Sequence, residues 1–376
     1  MSADAPTPAR QRVALVMIAR DEAAHIQRAL VSALPWVDDA LVLDTGSRDD
    51  TVALAQAAGA RVAHFAWVDD FAAARNHALD LAGADWHVVL DADEWIADGG
   101  EALAALRDRA PDFVGQLRVD SLQQGPDGRH SQAPSWLSRV LPGPVRYAGR
   151  VHEQPQHSLP VRPLPLTVGH DGYLPAALAA KAGRNAGLLQ AALNEAPHDA
   201  YLWYQCGKDH DVYERYAQAI ACLDRAEQLL PPQQPAPAWT HDLCVRRLHA
   251  LKRCGRHAEA VQHAEAAMAP WADSPDLFFA LGDLLLDWAA EEPARAGELL
   301  PMIESAWQRC LALGEHPELE GAVAGRGSHL AAGNLALLYD LLDRPADATH
   351  CRELAALGQF TARERFGLTL SGNPAI

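Results

Sequence analysis

The chain has 376 residues, 49% apolar and 22% charged, an ordinary globular composition with length for two or three domains, each with its own core. Its formal net charge of −17 excludes a nonspecific nucleic-acid binder, which needs a basic surface to release counterions, and suits an anionic membrane surface poorly. No run approaches the ~20 apolar residues of a membrane span. The opening Met1-Ser-Ala-Asp-Ala-Pro-Thr-Pro lacks the apolar core of a signal peptide, so a cytoplasmic protein is expected.

The first half alternates strands and helices. Residues 13–18 form a β-rich apolar run, hence a buried strand, and 22–34 carry Ile26, Ala29, Leu30, Ala33 and Leu34 at helical spacing. A second strand is predicted at 40–43. Asp49 or Asp50 then caps a helix running to about Ala58 and ended by Gly59. A strand at 61–64, a helix at 71–82 and a strand at 86–90 follow. Such alternation with short links predicts a parallel sheet covered on both faces, with ligands beyond the carboxyl ends of its strands. The polar clusters Ala19-Arg-Asp-Glu22, Asp44-Thr-Gly-Ser47, Trp67-Val-Asp-Asp70 and Asp91-Ala-Asp93 all fall there.

From about Phe113 to Tyr173 the texture changes. Gly125-Pro-Asp-Gly128 reads as a hairpin turn, and Pro142, Pro144, Pro155, Pro160, Pro163 and Pro165 exclude long helices, so mixed β structure completes the first domain. From about Pro175 the pattern is helical. Pro197 and Pro231 stand about 34 residues apart, a tetratricopeptide length, with Trp203, Gly207, Tyr213, Tyr216, Ala217 and Ala226 between them. The repeats are degenerate, which predicts an irregular solenoid of helical hairpins. All six cysteines (Cys206, Cys222, Cys244, Cys254, Cys310 and Cys351) lie here without a C-x-x-C pair, so reduced, packed thiols are expected.

The acidic triplet after the strand at 86–90 carries the chemistry. Two aspartates one residue apart on an extended chain share a face, and their repulsion is relieved by a divalent cation, which would grip a diphosphate. A D-x-D pattern alone is weak, and a solvated turn is its plain alternative. Asp44 can accept from a base or ribose hydroxyl and Gly46 permits close backbone approach, or the loop is only a helix start. Arg75 can contact a nucleobase or diphosphate, or pair with Asp69 or Asp70. Downstream, Glu153 is a candidate general base and His170 a candidate metal ligand, though 17 histidines make any single one weak evidence.

Taken together, Ile18-Ala-Arg-Asp-Glu22, Leu43-Asp-Thr-Gly-Ser-Arg-Asp-Asp-Thr51, Asp70-Phe-Ala-Ala-Ala-Arg-Asn76 and Leu90-Asp-Ala-Asp-Glu94 resemble the family 2 glycosyltransferases over roughly residues 12–173. Arg150-Val-His-Glu153 and His170-Asp-Gly-Tyr173 resemble the subgroup joined to tetratricopeptide-like repeats, which includes peptide S-glycosyltransferases and is similar to lipopolysaccharide-core transferases. The resemblance implies a GT-A fold, α/β and Rossmann-like with a mostly parallel sheet, followed by an all-α helical-repeat domain. The expected bounds are a tail at 1–11, the transferase domain at 12–174, the repeats at 175–367 and a tail at 368–376.

It further implies nucleotide-sugar contacts from Arg20, Glu22, Asp44, Gly46, Arg75, Asp91 and Ala92, with Asp91 at the ribose and Asp93 on the metal. The expected reaction is inverting transfer from a nucleotide-diphosphate sugar, a UDP-sugar foremost, aided by Mn²⁺ or Mg²⁺. Glu153 would serve as base and His170 would complete the metal shell. The acceptor is a glycan, peptide or protein side chain, and the helical domain would hold it, a protein partner or a second protomer. Two rivals stand: a nucleotidyltransferase, disfavoured because the loop after the first strand has no glycine, and a repeat scaffold with an inactive transferase domain.

Overall fold

The computed structural model describes residues 10–124, 130–171, 183–231 and 236–366. The expected turn at Gly125 to Gly128, Tyr173, the start of the helical half at Pro175 and the tail from 368 lie outside them. The chain forms two compact units, 1–206 and 207–376.

The first unit is built on strands β1 (Val13–Ala19), β2 (Asp39–Asp44), β3 (Arg61–His64), β4 (Trp86–Val89), β5 (Glu94–Asp98), β6 (Val114–Gln124), β7 (His130–Pro142) and β10 (Val161–His170). They make one sheet in the order β3-β2-β1-β4-β7-β6-β10-β5. Only β7 and β5 run against the rest, so the sheet is mostly parallel, as expected. β8 (Arg146–Ala148) and β9 (Gln154–Gln156) form a separate ribbon.

Alternation in β1 dictates the layers. Val13, Leu15 and Met17 join one core with Ile26 and Leu30 of α1 (Ile26–Ala33), Ala55 of α2 (Thr51–Ala57) and Leu103 of α4 (Glu101–Ala104). Ala14 and Val16 join the other, with Ala74, Ala78 and Leu79 of α3 (Phe71–Ala82). The Asp70 carboxylate accepts the Ala73 N–H at the start of α3, and Gly83 ends it at φ 56°. β2 and β4 flank β1 on opposite sides, so strand order reverses at β1 and a crevice opens at the carboxyl ends of these strands.

Two expectations shift. The helix predicted from residue 22 starts at Ile26, because residues 22–25 form a turn, the His25 N–H bonding to the Glu22 carbonyl at 3.0 Å. The first unit also reaches past the expected division at 174. Leu188, Leu189, Ala192 and Leu193 of α5 (Arg184–Glu195) and Leu202 of α6 (Ala200–Val212) pack with Val151, Trp67 and Phe71. That apolar cluster needs cover, and the first helices supply it.

The second unit continues with α7 (Tyr216–Gln228), α8 (Thr240–Arg253), α9 (His257–Ala267), α10 (Pro275–Glu291), α11 (Ala296–Leu313), α12 (His329–Leu341) and α13 (Pro345–Phe366). Each helix packs on its neighbours in sequence, the arrangement of a helical-repeat solenoid. Gly207 and Gly282 sit where a Cβ would come within 2.5 Å of Leu223 and 2.3 Å of the Trp307 ring, so both glycines allow close helix crossings. Among the described residues no cysteine is in a disulfide; Cys222, Cys244, Cys310 and Cys351 are buried, and Cys254 is exposed. No helix among the described residues is long and apolar enough to cross a membrane.

Candidate active site

The loops after β1 and β2 are laced together at the crevice. Asp21 takes a left-handed φ of 56°; its N–H reaches the Ser47 hydroxyl at 3.0 Å and its carboxylate accepts the Arg48 N–H at 2.7 Å. The Glu22 N–H bonds to the Thr51 hydroxyl at 2.8 Å, and Asp49 accepts from the Ala23 and Thr51 N–H groups. Asp50, at the cap position of α2, makes no side-chain cap bond; Asp49 supplies it.

The buried Asp44 carboxylate accepts the Gly46 N–H at 3.2 Å and the Ser47 N–H at 3.1 Å, with His64 Nδ1 3.3 Å away. Burial alone would push its carboxyl up; the hydrogen bonds from Ser47, His64 and Gly46 together outweigh it and hold the group below the ordinary range. Gly46 itself sits at φ 108° with open space around it, a conformation that side-chain-bearing residues rarely adopt. Arg20 is nearly half exposed beside Asp21, and the Glu22 carboxylate contacts the His25 ring at 2.9 Å.

The structure corrects the geometry assumed for the acidic triplet. Residues 91–93 leave the strand and turn, with the Glu94 N–H bonding to the Asp91 carbonyl at 3.0 Å, so the period-two argument does not apply. Nor is Asp91 left to repel a neighbour. Arg75 Nη2 donates to its Oδ1 at 2.6 Å and Arg139 Nη2 to its Oδ2 at 2.9 Å. Burial raises its carboxyl, but these two guanidiniums hold it well below the usual carboxylate range.

Arg75 pairs with neither Asp69 nor Asp70 but is buried on α3 between Asp91 and Glu153, donating its Nε to Glu153 Oε1. Asp69 instead accepts from the Trp67 indole at 2.7 Å, and Asp70 caps the helix. Asn76 clamps the ribbon to α3, exchanging two hydrogen bonds with the Tyr147 backbone at 2.8 and 2.9 Å.

Glu94, almost fully buried, accepts the Asp91 N–H at 2.8 Å, and Arg139 Nη2 lies 3.7 Å from it. Burial first, and then the nearby Asp91 charge, push its carboxyl up. Ala92 is buried at the turn.

His170, at the carboxyl end of β10, places Nε2 3.6 Å from Asp93 Oδ2, while its Nδ1 lies 3.0 Å from the Ser121 hydroxyl. A carboxylate oxygen and an imidazole nitrogen at that separation fit one divalent cation at about 2.1 Å from each. The Ser121 contact is the kind that orients a ligating ring. Among the described residues no third carboxylate, histidine or cysteine completes the cluster. That suits an ion whose other ligands are phosphate oxygens and water.

A match to the model of glycosyl transferase family 2 covers residues 14–161, and all the clusters described lie in or beside it. Residues 14–161 are a family 2 glycosyltransferase domain. A TPR repeat-containing protein of Synechococcus elongatus is 32% identical over 284 residues, 71% of this glycosyltransferase and 68% of that protein. The prophage-derived glycosyltransferase SunS of Bacillus subtilis is 27% identical over 218 residues, 56% of this chain and 52% of SunS. The match thus spans about two thirds of the first relative and half of the second. The glucosyl-3-phosphoglycerate synthase of Mycobacterium tuberculosis, solved with Mn²⁺ and UDP, is 26% identical over 31% of this chain and 45% of its own, with a TM-score of 0.25, too slight a likeness to carry an argument.

Sequence reasoning overlooked three residues of this transferase's site. Arg139 had a signal, since an arginine within the apolar run Trp136-Leu-Ser-Arg-Val-Leu141 needs a carboxylate partner. Ser121 and the buried Tyr147, whose ring lies 5.6 Å from the Arg75 guanidinium carbon, had none.

Proposed function

We propose that this glycosyltransferase moves a sugar from a UDP-sugar to a glycan, peptide or protein side chain with inversion at the anomeric carbon, assisted by Mn²⁺ or Mg²⁺. The observation that supports this best is the pairing of Asp93 and His170 at the sheet's carboxyl edge, beside the arginine-held Asp91. When bound between them, the ion supplies Lewis-acid neutralisation of the departing diphosphate. Arg20, Glu22, Asp44, Gly46 and Arg75 line the donor crevice in this reading. Asp44 orders the loop that faces the nucleoside, and Ala92 and Asp91 hold the turn that presents Asp93.

Glu153 is the base. Arg75 takes its Oε1, which leaves Oε2 to receive the acceptor's proton. As the acceptor oxygen or sulfur bonds to the anomeric carbon, the bond to the phosphate oxygen breaks and its electron pair leaves with the UDP. The helical repeats are the surface for the acceptor, a protein partner or a second protomer.

The test is calorimetry of UDP with and without Mn²⁺, beside hydrolysis of UDP-glucose and UDP-N-acetylglucosamine. Asp93→Asn is expected to stay folded and lose metal-dependent hydrolysis. Glu153→Gln is expected to keep UDP affinity and lose turnover on the order of 10²-fold or more. Full metal-dependent hydrolysis by folded Asp93→Asn, or no nucleotide affinity in the unaltered protein, overturns the reading.

A further inference from the structure

We infer that Arg139 is a positioning residue for the reaction, setting the base Glu153 and the Asp93 turn through a chain of charge-assisted bonds. The inference rests on the proposed function for its kinetic consequences but not for its geometry.

Arg139 lies in β7, which no expected site residue occupies. One atom, Nη2, serves both Asp91 Oδ2 at 2.9 Å and Glu94 Oε1 at 3.7 Å. It therefore grips the first and last residues of the turn that carries Asp93. The carboxylate it grips has its other oxygen on Arg75 Nη2, and the same Arg75 donates Nε to Glu153. Four segments are strung together: β7, the turn after β4, α3, and the loop that leads into β9. Their charges alternate along the string as Arg139, Asp91, Arg75 and Glu153, so every link joins opposite charges.

The string has little slack. The Arg75 side chain is 6% exposed, Glu153 9% and Arg139 13%. Neither acid just before α3 competes for Arg75, since Asp70 is turned to its own helix N-terminus and Asp69 to Trp67. Losing Arg139 leaves the buried Glu94 and the partly exposed Asp91 with one cation fewer between them. Asp91 is then drawn toward Arg75 alone, the turn loosens, and the Arg75 guanidinium follows Asp91, carrying Glu153 with it. Because Arg139 acts on both acids through a single nitrogen, a point charge suffices, and lysine is an adequate substitute here although it is not at a two-pronged site.

The experiment compares Arg139→Gln, Arg139→Lys, Glu153→Gln and the Arg139→Gln/Glu153→Gln double variant in the full chain. UDP-glucose hydrolysis with Mn²⁺ and thermal unfolding are measured for each. The expected result is a fall in kcat on the order of 10²-fold for Arg139→Gln, the scale of a misplaced reacting group. The KM for UDP-glucose rises by a smaller factor than kcat falls, because Arg75 and the Asp93 turn also face the donor in that reading, and Arg139→Lys recovers most of the loss. In the double variant Arg139→Gln costs much less, because the base it positions is already gone.

A folded Arg139→Gln with unaltered kcat overturns the inference, as does a kcat loss that lysine does not restore. An unaltered protein that neither binds UDP nor hydrolyses the donor instead defeats the proposed function. The unfolding data then decide the bond chain alone: non-additive shifts for Arg139→Gln and Glu153→Gln, which do not touch, uphold it, and strictly additive shifts sink it.

Discussion

Replacing Arg75 by glutamine removes a buried cation from between two carboxylates. Asp91 keeps Arg139, so the loss falls on Glu153, whose side chain is 9% exposed and whose charge is then buried without its partner. Breaking a buried pair in this way costs about 3–5 kcal/mol, and a hydrogen bond from the new amide returns about 1 kcal/mol. The first unit should therefore lose roughly 2–4 kcal/mol, or roughly 4–16 °C for a domain of its size. Urea-dependent hydrogen exchange of the β1 and β4 amides reads this unit separately from the helical one.

Parallel urea melts at different pH check the sign. The Asp91 carboxyl is held below its ordinary value in the folded chain, so its stabilising contribution is present above the unfolded value of about 3.9 and is lost as pH falls through the folded one. The gap between the unaltered protein and Arg75→Gln should then be level near neutrality and narrow in acid. A gap under about 1 kcal/mol, the worth of a surface pair, refutes the reasoning. So does a gap that widens in acid.

Three further outcomes are expected. Glu94 is pushed up by burial, so the unaltered protein's advantage over non-titrating Glu94→Gln is fullest below the ordinary Glu value and shrinks as pH climbs through the folded one; urea melts from acid to neutral pH showing a constant or growing advantage contradict this. Gly169→Ala places a Cβ 2.3 Å from the Trp95 ring, which is itself stacked 3.8 Å from the Arg28 guanidinium, and should cost about 1–3 kcal/mol; an unchanged melt argues against so tight a contact. A chain ending at Val212 should fold and bind UDP, whereas one ending at Tyr173 should melt lower because Val151, Trp67 and Phe71 lose their cover; equal melting of the two denies that role to the first helices.

Local order was legible in the sequence because it is written in local periodicity. β1 to β4 and α1 to α3 lie within a few residues of their expected places, since alternation and helical spacing each report which side chains must leave water. Gly46 marked a loop and Gly59 a helix end for the same local reason, each at a positive φ. The clusters at the strand ends were legible too, because a parallel sheet sends all its carboxyl ends to one rim.

The pairing of charges was not legible. Arg75 finds Asp91 and Glu153, 16 and 78 positions away, and passes over the nearer Asp69 and Asp70. With 49 acidic residues in the chain, spacing does not select among partners; burial and direction do, and both belong to the folded state. The triplet shows the same limit. Its residues were plain in the sequence, but their directions depended on whether the chain stayed extended past Leu90. Tertiary structure settled that by turning the chain so that Asp91 meets two arginines and Asp93 meets His170.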